Sequence, residues 1–272
     1  MGTSAIDELP QLIRKVENAF SLAKNYFDEN GLLINAKKTQ IIFIGNRQLL
    51  ARIPPDTTIN YDNHIITPIK HAKNLGVHFD CFMSFDVHID ELSRKVMGLL
   101  IYLNRIKDKF DKTTRITVIE SLVLSLINYC CKIWGSANKT LLLKVQKLLN
   151  FAARVADGTV RKYDHITPVL KELQWMKIEK IYVFHVCVFV YKALHGELPS
   201  WLYTFPSVME INASRTRQAN NLFVPRTNTD TGKRAMVVRG PTIWNELPLD
   251  IREMGGSLNT FKHALKKYFL AS

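Results

Sequence analysis

One stretch, "IYVFHVCVFVYKAL" at residues 181–194, limits the folds open to this chain more than any other. Across residues 178–195 apolar side chains fall on nearly every side of a helical wheel, so a helix here has no face to give to water and must be surrounded. Periodicity alone also allows a buried strand, but strands rarely exceed about ten residues, so the length favours a helix. His185 and Lys192 interrupt the run, and it falls short of the roughly 20 apolar residues that cross a bilayer. No membrane partner is expected. The remainder of the 272 residues, 47% of the whole being hydrophobic, has to build the enclosure. That length suits one large domain or two to three small ones.

The enclosure reads as an α+β chain that is mostly helical. Residues 7–30 keep helical spacing through Leu9, Ile13, Val16, Phe20 and Phe27, with Pro10 early and Gly31 at the stop. "QIIFIG" at 40–45 reads as a strand, rich in β-branched and aromatic residues. "TTINY" and "HIITPI" flank Asp62-Asn63, a pair that tolerates a two-residue hairpin turn, and residues 72–80 read as a further strand with Gly76 at a tight point. From Phe85 onward the pattern turns helical. Helices are expected over 86–110, 112–134 and 139–156. In the last, Leu141, Leu142, Val145, Leu148, Leu149, Ala152, Val155 and Ala156 share one half of the wheel. Lys139, Lys144, Gln146, Lys147, Asn150 and Arg154 share the other. A short helix over 167–176, with Thr167 as its cap, precedes the apolar one. Beyond Gly196 short β-like pieces are expected between turns, then an amphipathic helix at 257–270 capped by Ser257.

The formal net charge is +13, and it is unevenly placed. Residues 1–85 hold 9 Lys and Arg against 8 Asp and Glu; residues 86–272 hold 28 against 16. A near-neutral head on a basic body points to a polyanion as the body's partner. Chemistry of other kinds is hard to find. No Asp-Asp pair occurs, and Asp7-Glu8, Asp28-Glu29 and Asp90-Glu91 are neighbours on helices, whose side chains diverge by about 100° and chelate poorly. The histidines lack zinc spacing, His185 reads as a core histidine, and the four cysteines form no C-x-x-C pair. The cysteines read as small apolar residues of a reducing compartment, and Trp175, Trp201 and Trp244 as core anchors. The N-terminus carries no secretory signal, and Ile6 stands where a myristoylated chain has Ser or Thr.

Seven stretches then carry a likeness: "GLLINAKKTQIIFIG", "KNLGVHFD", "INYCCKIWGS", "KVQKLLNFAARVADG", "YDHITPVLKELQWMKIEKI", "YKALHGELPSWL" and "GPTIWNELPLDIR". Together and in this order the chain resembles the C-terminal portion of reverse transcriptases from non-LTR retrotransposons, of the jockey and chicken-repeat LINE type. The resemblance implies a partial palm at 1–82 (a helix plus a small antiparallel sheet), a thumb-like helical domain at 83–160, and a post-thumb region at 161–272 ending in a helix. Palms of that family add nucleotides with two metal ions held by three aspartates. Thr3 resembles the residue that follows their aspartate pair, so the catalytic aspartates are expected upstream of Met1-Gly2. Mg²⁺ is thus expected only for the intact family enzyme, with no cofactor in this chain.

Lys38 resembles the palm lysine near the triphosphate, here a remnant without a reaction to assist. "KNLGVHFD" resembles the segment that grips the primer end, placing Lys73 and Gly76 at nucleic acid. The thumb resemblance makes Arg94, Lys95, Arg105, Lys107, Lys144, Lys147 and Arg154 candidates for contact with a sugar–phosphate backbone. The expected partners are RNA or an RNA–DNA hybrid, together with an upstream part of the polymerase. The expected function is a polymerase fragment inactive alone that keeps template–primer binding. The alternative is a non-enzymatic, basic nucleic-acid-binding or interaction protein derived from such an element.

Overall fold

The structure, a computed structural model, describes residues 8–61, 64–161, 163–199, 201–211 and 220–271. It is mostly helical, with two small antiparallel sheets. The chain divides into two compact units, Met1–Val87 and His88–Ser272. The boundary expected between residues 160 and 161 falls inside the second unit.

The first unit is organised by α1 (Leu9–Glu29). Pro10 sits in its first turn, where a missing N–H costs nothing. It stops at Gly31 (φ 67°), with Gly31 N–H donating to the Asp28 carbonyl and Leu32 N–H to that of Phe27. This paired closure requires the left-handed backbone that glycine adopts without strain. α1 packs on β1 (Ile59–Tyr61), with the Phe20 and Tyr61 rings 5.1 Å apart and Asn60 N–H donating to Glu17 Oε1 at 2.9 Å. β1 pairs with β2 (His64–Ile66) in the register Tyr61↔His64. The expected turn residues Asp62-Asn63 lie outside the described residues, as do Met1-Gly2 and Thr3.

Two expectations are corrected in this unit. "QIIFIG" is not a strand. The segment has no regular secondary structure and makes isolated backbone bonds, Ile69 N–H to the Ile41 carbonyl and Gly45 N–H to the Cys81 carbonyl, rather than a ladder. A short helix follows it, α2 (Arg47–Leu50), capped by Asn46 Oδ1 accepting from Leu49 N–H. Residues 72–80 are not one strand but a hairpin, β3 (His71–Asn74) against β4 (Val77–Asp80). Leu75 (φ 45°) and Gly76 (φ 81°) form its turn, both in the positive-φ region that a two-residue turn between twisted strands demands.

In the second unit α3 (Asp86–Ile106) buries Ile89, Leu92, Val96, Leu100 and Leu103 along one stripe. The helix expected over 112–134 is broken. α4 (Lys112–Ile119) passes into a π turn at Glu120–Leu124, then α5 (Ser125–Asn128) and, past Cys130 in the left-handed region (φ 51°), α6 (Cys131–Trp134). Hydroxyls of Thr117, Ser121 and Ser125 donate to the carbonyls four residues earlier. Such back-bonding competes for helical acceptors and distorts the coil. The Glu120 carboxylate also accepts from Trp175 Nε1 at 2.8 Å.

α7 (Lys139–Asp157) matches its pattern. Every apolar residue assigned to its inner half is buried, Asn138 Oδ1 caps it by accepting from Leu141 N–H, and Gly158 (φ 82°) ends it. α8 (Thr167–Glu172) starts with Thr167 and Pro168 inside the first turn, so Thr167 is not the cap. α9 (Ile178–Leu194) is the central helix, flanked by α6, α7, α12 (Met236–Asn245) and α14 (Leu258–Ala271). Tyr191 stacks on Phe261 at 4.3 Å between ring centres. Gly240 lets α12 approach closely, since a Cβ there would lie 3.1 Å from Val190 Cγ2. Ser257 Oγ accepts from Thr260 N–H at the start of α14, as expected.

Of the stretch 214–248, where β-like pieces are expected, residues 214–219 lie outside the described residues and the rest holds two helices, α11 (Asp230–Arg234) and α12; α10 (Val208–Ile211) precedes the stretch and α13 (Leu249–Arg252) follows it. Among the described residues one isolated bridge, Ser207 to Leu222, is extended pairing there. Trp175 and Trp244 are core anchors, but Trp201 is 81% exposed.

Candidate nucleic-acid interface

Seven of the ten candidate residues fall on α3, its 3₁₀ continuation Lys107–Lys109, and α7. Burial of one stripe of α3 turns Arg94, Lys95 and Arg105 outward, all exposed. Arg94 and Arg105 lie 11 residues apart and therefore nearly in line, about 16 Å along the axis. Beside them Met97, Ile101 and Tyr102 are also exposed, the last at 61%. On α7 the exposed face carries Lys144 and Lys147. Lys144 Nζ lies 2.9 Å from Asp90 Oδ1 of α3, which ties the two helices together. Among the described residues no ion pair engages Arg94, Lys95, Arg105 or Lys147.

Between the two helices lies an open cavity of about 690 Å³. Met97, Asn104 and Lys107 form one wall, Phe151 and Arg154 the other, and the loop Gly158–Arg161 closes one end. Among the described residues three cations line it and no carboxylate does. Arg154 is more occupied than its position on the wheel implied. Its guanidinium donates to the carbonyls of Arg161 (3.2 Å), Asp164 (3.3 Å) and Asn150 (3.4 Å), so it holds the loop as well as facing the cavity.

The loop is built around Asp157, whose carboxylate accepts from the N–H groups of Thr159 and Val160 and from the Thr159 hydroxyl. Burial pushes that carboxyl up, but the Thr159 and Val160 bonds and the Lys112 ammonium outweigh it and hold it below the usual range. Lys112 spans Asp157 (3.3 Å) and Glu172 (2.6 Å), and both bonds raise its own pKa. Arg161 was missed by the sequence reading. The signal was present in "GTVRKYDHITP", a polar loop directly after a basic helix.

The remaining candidates belong to the first unit. Lys38 ends the 3₁₀ turn Ala36–Lys38, exposed, with its N–H donating to Asn35 Oδ1. Lys73 is an exposed residue of β3, and Gly76 serves the hairpin turn.

His185 is half-buried on α9, with Nε2 lying 3.1 Å from Oδ1 of the exposed Asn128. Burial, then the charges of Lys132 and Lys262, lower its pKa. Cys81, Cys131 and Cys187 are buried free thiols, and burial pushes Cys187 up to about 12. Among the described residues no three His, Cys, Asp or Glu side chains come together as a metal site. What the arrangement offers is charge without base readout: cations at helical spacing beside apolar surface, suited to a sugar–phosphate backbone. Comparison with family models, curated proteins and solved structures finds no match to this chain.

Proposed function

We propose that this chain is a fragment resembling the RNA-directed DNA polymerase of a non-LTR retrotransposon, without the catalytic aspartates and inactive alone, that binds the backbone of RNA or an RNA–DNA hybrid through α3 and α7. The observation that carries the binding is the cavity between those helices, lined among the described residues by Lys107, Arg154 and Arg161 with no carboxylate, and flanked by Arg94, Lys95, Arg105 and Lys147, which make no ion pair among the described residues. Cations on an open face attract backbone phosphates and do not read bases, so binding is sequence-blind. The seven stretches in family order support the polymerase origin. Lys38 is then a remnant of the palm.

Fluorescence anisotropy with a labelled RNA–DNA hybrid tests the binding. Affinity falls steeply between 50 and about 200 mM salt, because counterions released from the duplex drive association. A flat response overturns the reading. Primer extension with Mg²⁺ yields no product from this chain; synthesis would overturn the claim of inactivity.

A further inference from the structure

Residues 40–45 form no ladder, so the first unit closes around them through single backbone bonds. Ile69 N–H donates to the Ile41 carbonyl at 2.8 Å, Gly45 N–H to that of Cys81 at 3.0 Å, and Cys81 N–H to that of Lys70 at 3.1 Å. Segments tied at single points do not bring their side chains together as paired strands do. They leave an open cavity of about 440 Å³, lined entirely by residues of that unit. α2 supplies one wall, and the turn in which Thr57 N–H donates to the Pro54 carbonyl supplies another. Pro54, Pro55 and Pro68 all line it, and their fixed φ stiffens the walls against collapse.

The lining is mostly apolar. Phe43, Leu50, Ile53, Ile69 and Phe82 are each half-buried, and the buried Cys81 lies among them. Half-buried apolar side chains around a cavity keep surface that a ligand can still remove from water. Arg47 and Lys70 are the charged lining residues, and both are exposed, which places them where the cavity meets solvent. Neither makes an ion pair among the described residues, and no carboxylate lines the cavity. Asp80, next to Cys81, has its carboxylate engaged by the N–H groups of Phe82, Ser84 and Phe85. Asp56 is exposed between Pro55 and Thr57 and is not among the lining residues. Arg47 Cζ lies 5.5 Å from the centre of the Phe82 ring, a cation–π contact that holds the guanidinium at the rim. A guanidinium held there offers the planar fork that matches a carboxylate. An apolar cavity of this volume with a few polar groups has the make-up of a small-molecule site, and its apolar walls suit one charged end rather than a highly charged ligand.

We propose that this cavity binds a small apolar carboxylate, with its hydrocarbon body against Phe43, Ile53 and Phe82 and its charged end at Arg47 and Lys70. Sodium octanoate and 1-octanol, which share a chain length and differ in charge, are titrated by calorimetry into the full chain and three variants. R47M/K70M removes both charges from exposed positions, R47K/K70R keeps them, and A51W sets an indole on an exposed lining residue to fill the cavity. Octanoate binds the parent saturably, and 1-octanol binds roughly tenfold or more weakly. In R47M/K70M octanoate falls to the level of 1-octanol, which is itself unchanged; R47K/K70R keeps the preference for octanoate, and A51W weakens both ligands. Absence of saturable octanoate binding to the parent, equal affinity of the parent for the two ligands, or undiminished octanoate binding by R47M/K70M or by A51W overturns the site. Should R47M/K70M lose both ligands, R47K/K70R decides: a retained preference for octanoate upholds the site and a lost one overturns it.

Discussion

Arg115 closes the C-terminus of α7 from outside the helix: its Nη2 donates to the Asp157 carbonyl at 2.9 Å and its Nε to the Ala156 carbonyl at 3.1 Å. Its Nη1 reaches back to the carbonyls of Phe110 (2.8 Å) and Lys107 (3.4 Å). One guanidinium thus joins the end of α3, the start of α4 and the end of α7, the frame of the proposed groove. Charged donors on carbonyls are worth more than neutral ones, and several carbonyls are orphaned when they go. Arg115→Leu should destabilise the second unit by about 2–4 kcal/mol. Thermal unfolding followed by tryptophan fluorescence checks it, since all four tryptophans, Trp134, Trp175, Trp201 and Trp244, belong to that unit.

Gly158→Ala acts on the same closure by a different route. The residue holds φ 82°, which costs a side-chain-bearing residue about 1–2 kcal/mol. The new methyl would also lie 2.7 Å from Arg115 Nη2, pushing the guanidinium off its carbonyls. In the Arg115→Leu background that second penalty disappears, so the double variant should be more stable than the sum of the single losses by about 0.5–1 kcal/mol. Strict additivity would mean that the strain is purely backbone.

Asp80 should give the first unit an acid limit. Its buried carboxylate accepts from the N–H groups of Ser84, Phe85 and Phe82 and from the Ser84 hydroxyl. Burial pushes the carboxyl up, but the four bonds together prevail and its pKa lies below the ordinary 3.8. A depressed folded value contributes stability that is complete above the unfolded value and is lost as pH falls through the folded one. The hairpin and the turn after it should therefore hold at pH 5 and loosen below about pH 4. In Asp80→Asn this acid step should vanish, because the carboxyl that collects those four bonds no longer titrates, at the expense of lower stability at neutral pH. Amide exchange of Phe85 against pH reads both effects.

Lys144 and Lys147 allow a comparison within one helix face. Lys147 has no ion pair among the described residues, whereas Lys144 is held by Asp90. Removing Lys147 should lower the salt slope of hybrid binding by about 0.9, the value for one phosphate contact on a duplex. Lys144→Met should lower it less, and Asp90→Asn should strengthen binding by releasing the ammonium. Equal effects at both lysines would mean that the pair with Asp90 opens freely in solution.

The elements that sequence made legible were those in which one period dominates. α7 declared its inner face through residues from Leu141 to Ala156, and α9 declared its central place by lacking an outer face. "QIIFIG" failed because a β-branched run states only that extended backbone is acceptable, while a strand needs a neighbour in register, which the pattern does not encode. "MVVRGPTIWN" failed in the opposite sense. Val, Gly and Pro argue against a helix locally, but burying Val238, Ile243 and Trp244 against α9 outweighs that propensity. For the interface, wheel geometry placed Lys147 on the outer half of α7, where it is exposed, while Arg94, Lys95 and Arg105, named by the resemblance rather than by the wheel, are exposed on α3. The carbonyl contacts that occupy Arg154, and the Asp90 that occupies Lys144, depend on the neighbouring segment and are invisible in composition.

The wide turn at Glu120–Leu124 carries one more residue than a regular coil needs, so it behaves as a stored insertion. Losing one residue there, at Ser121 or Leu122, would leave α4 and α5 continuous with Ile119 and Ile127 still facing inward, whereas a loss elsewhere in the helix would rotate everything after it by about 100°. This segment is therefore the place where length can drift during descent without disturbing the packing on either side. Chains related to this one should differ there in length before they differ anywhere else along these helices.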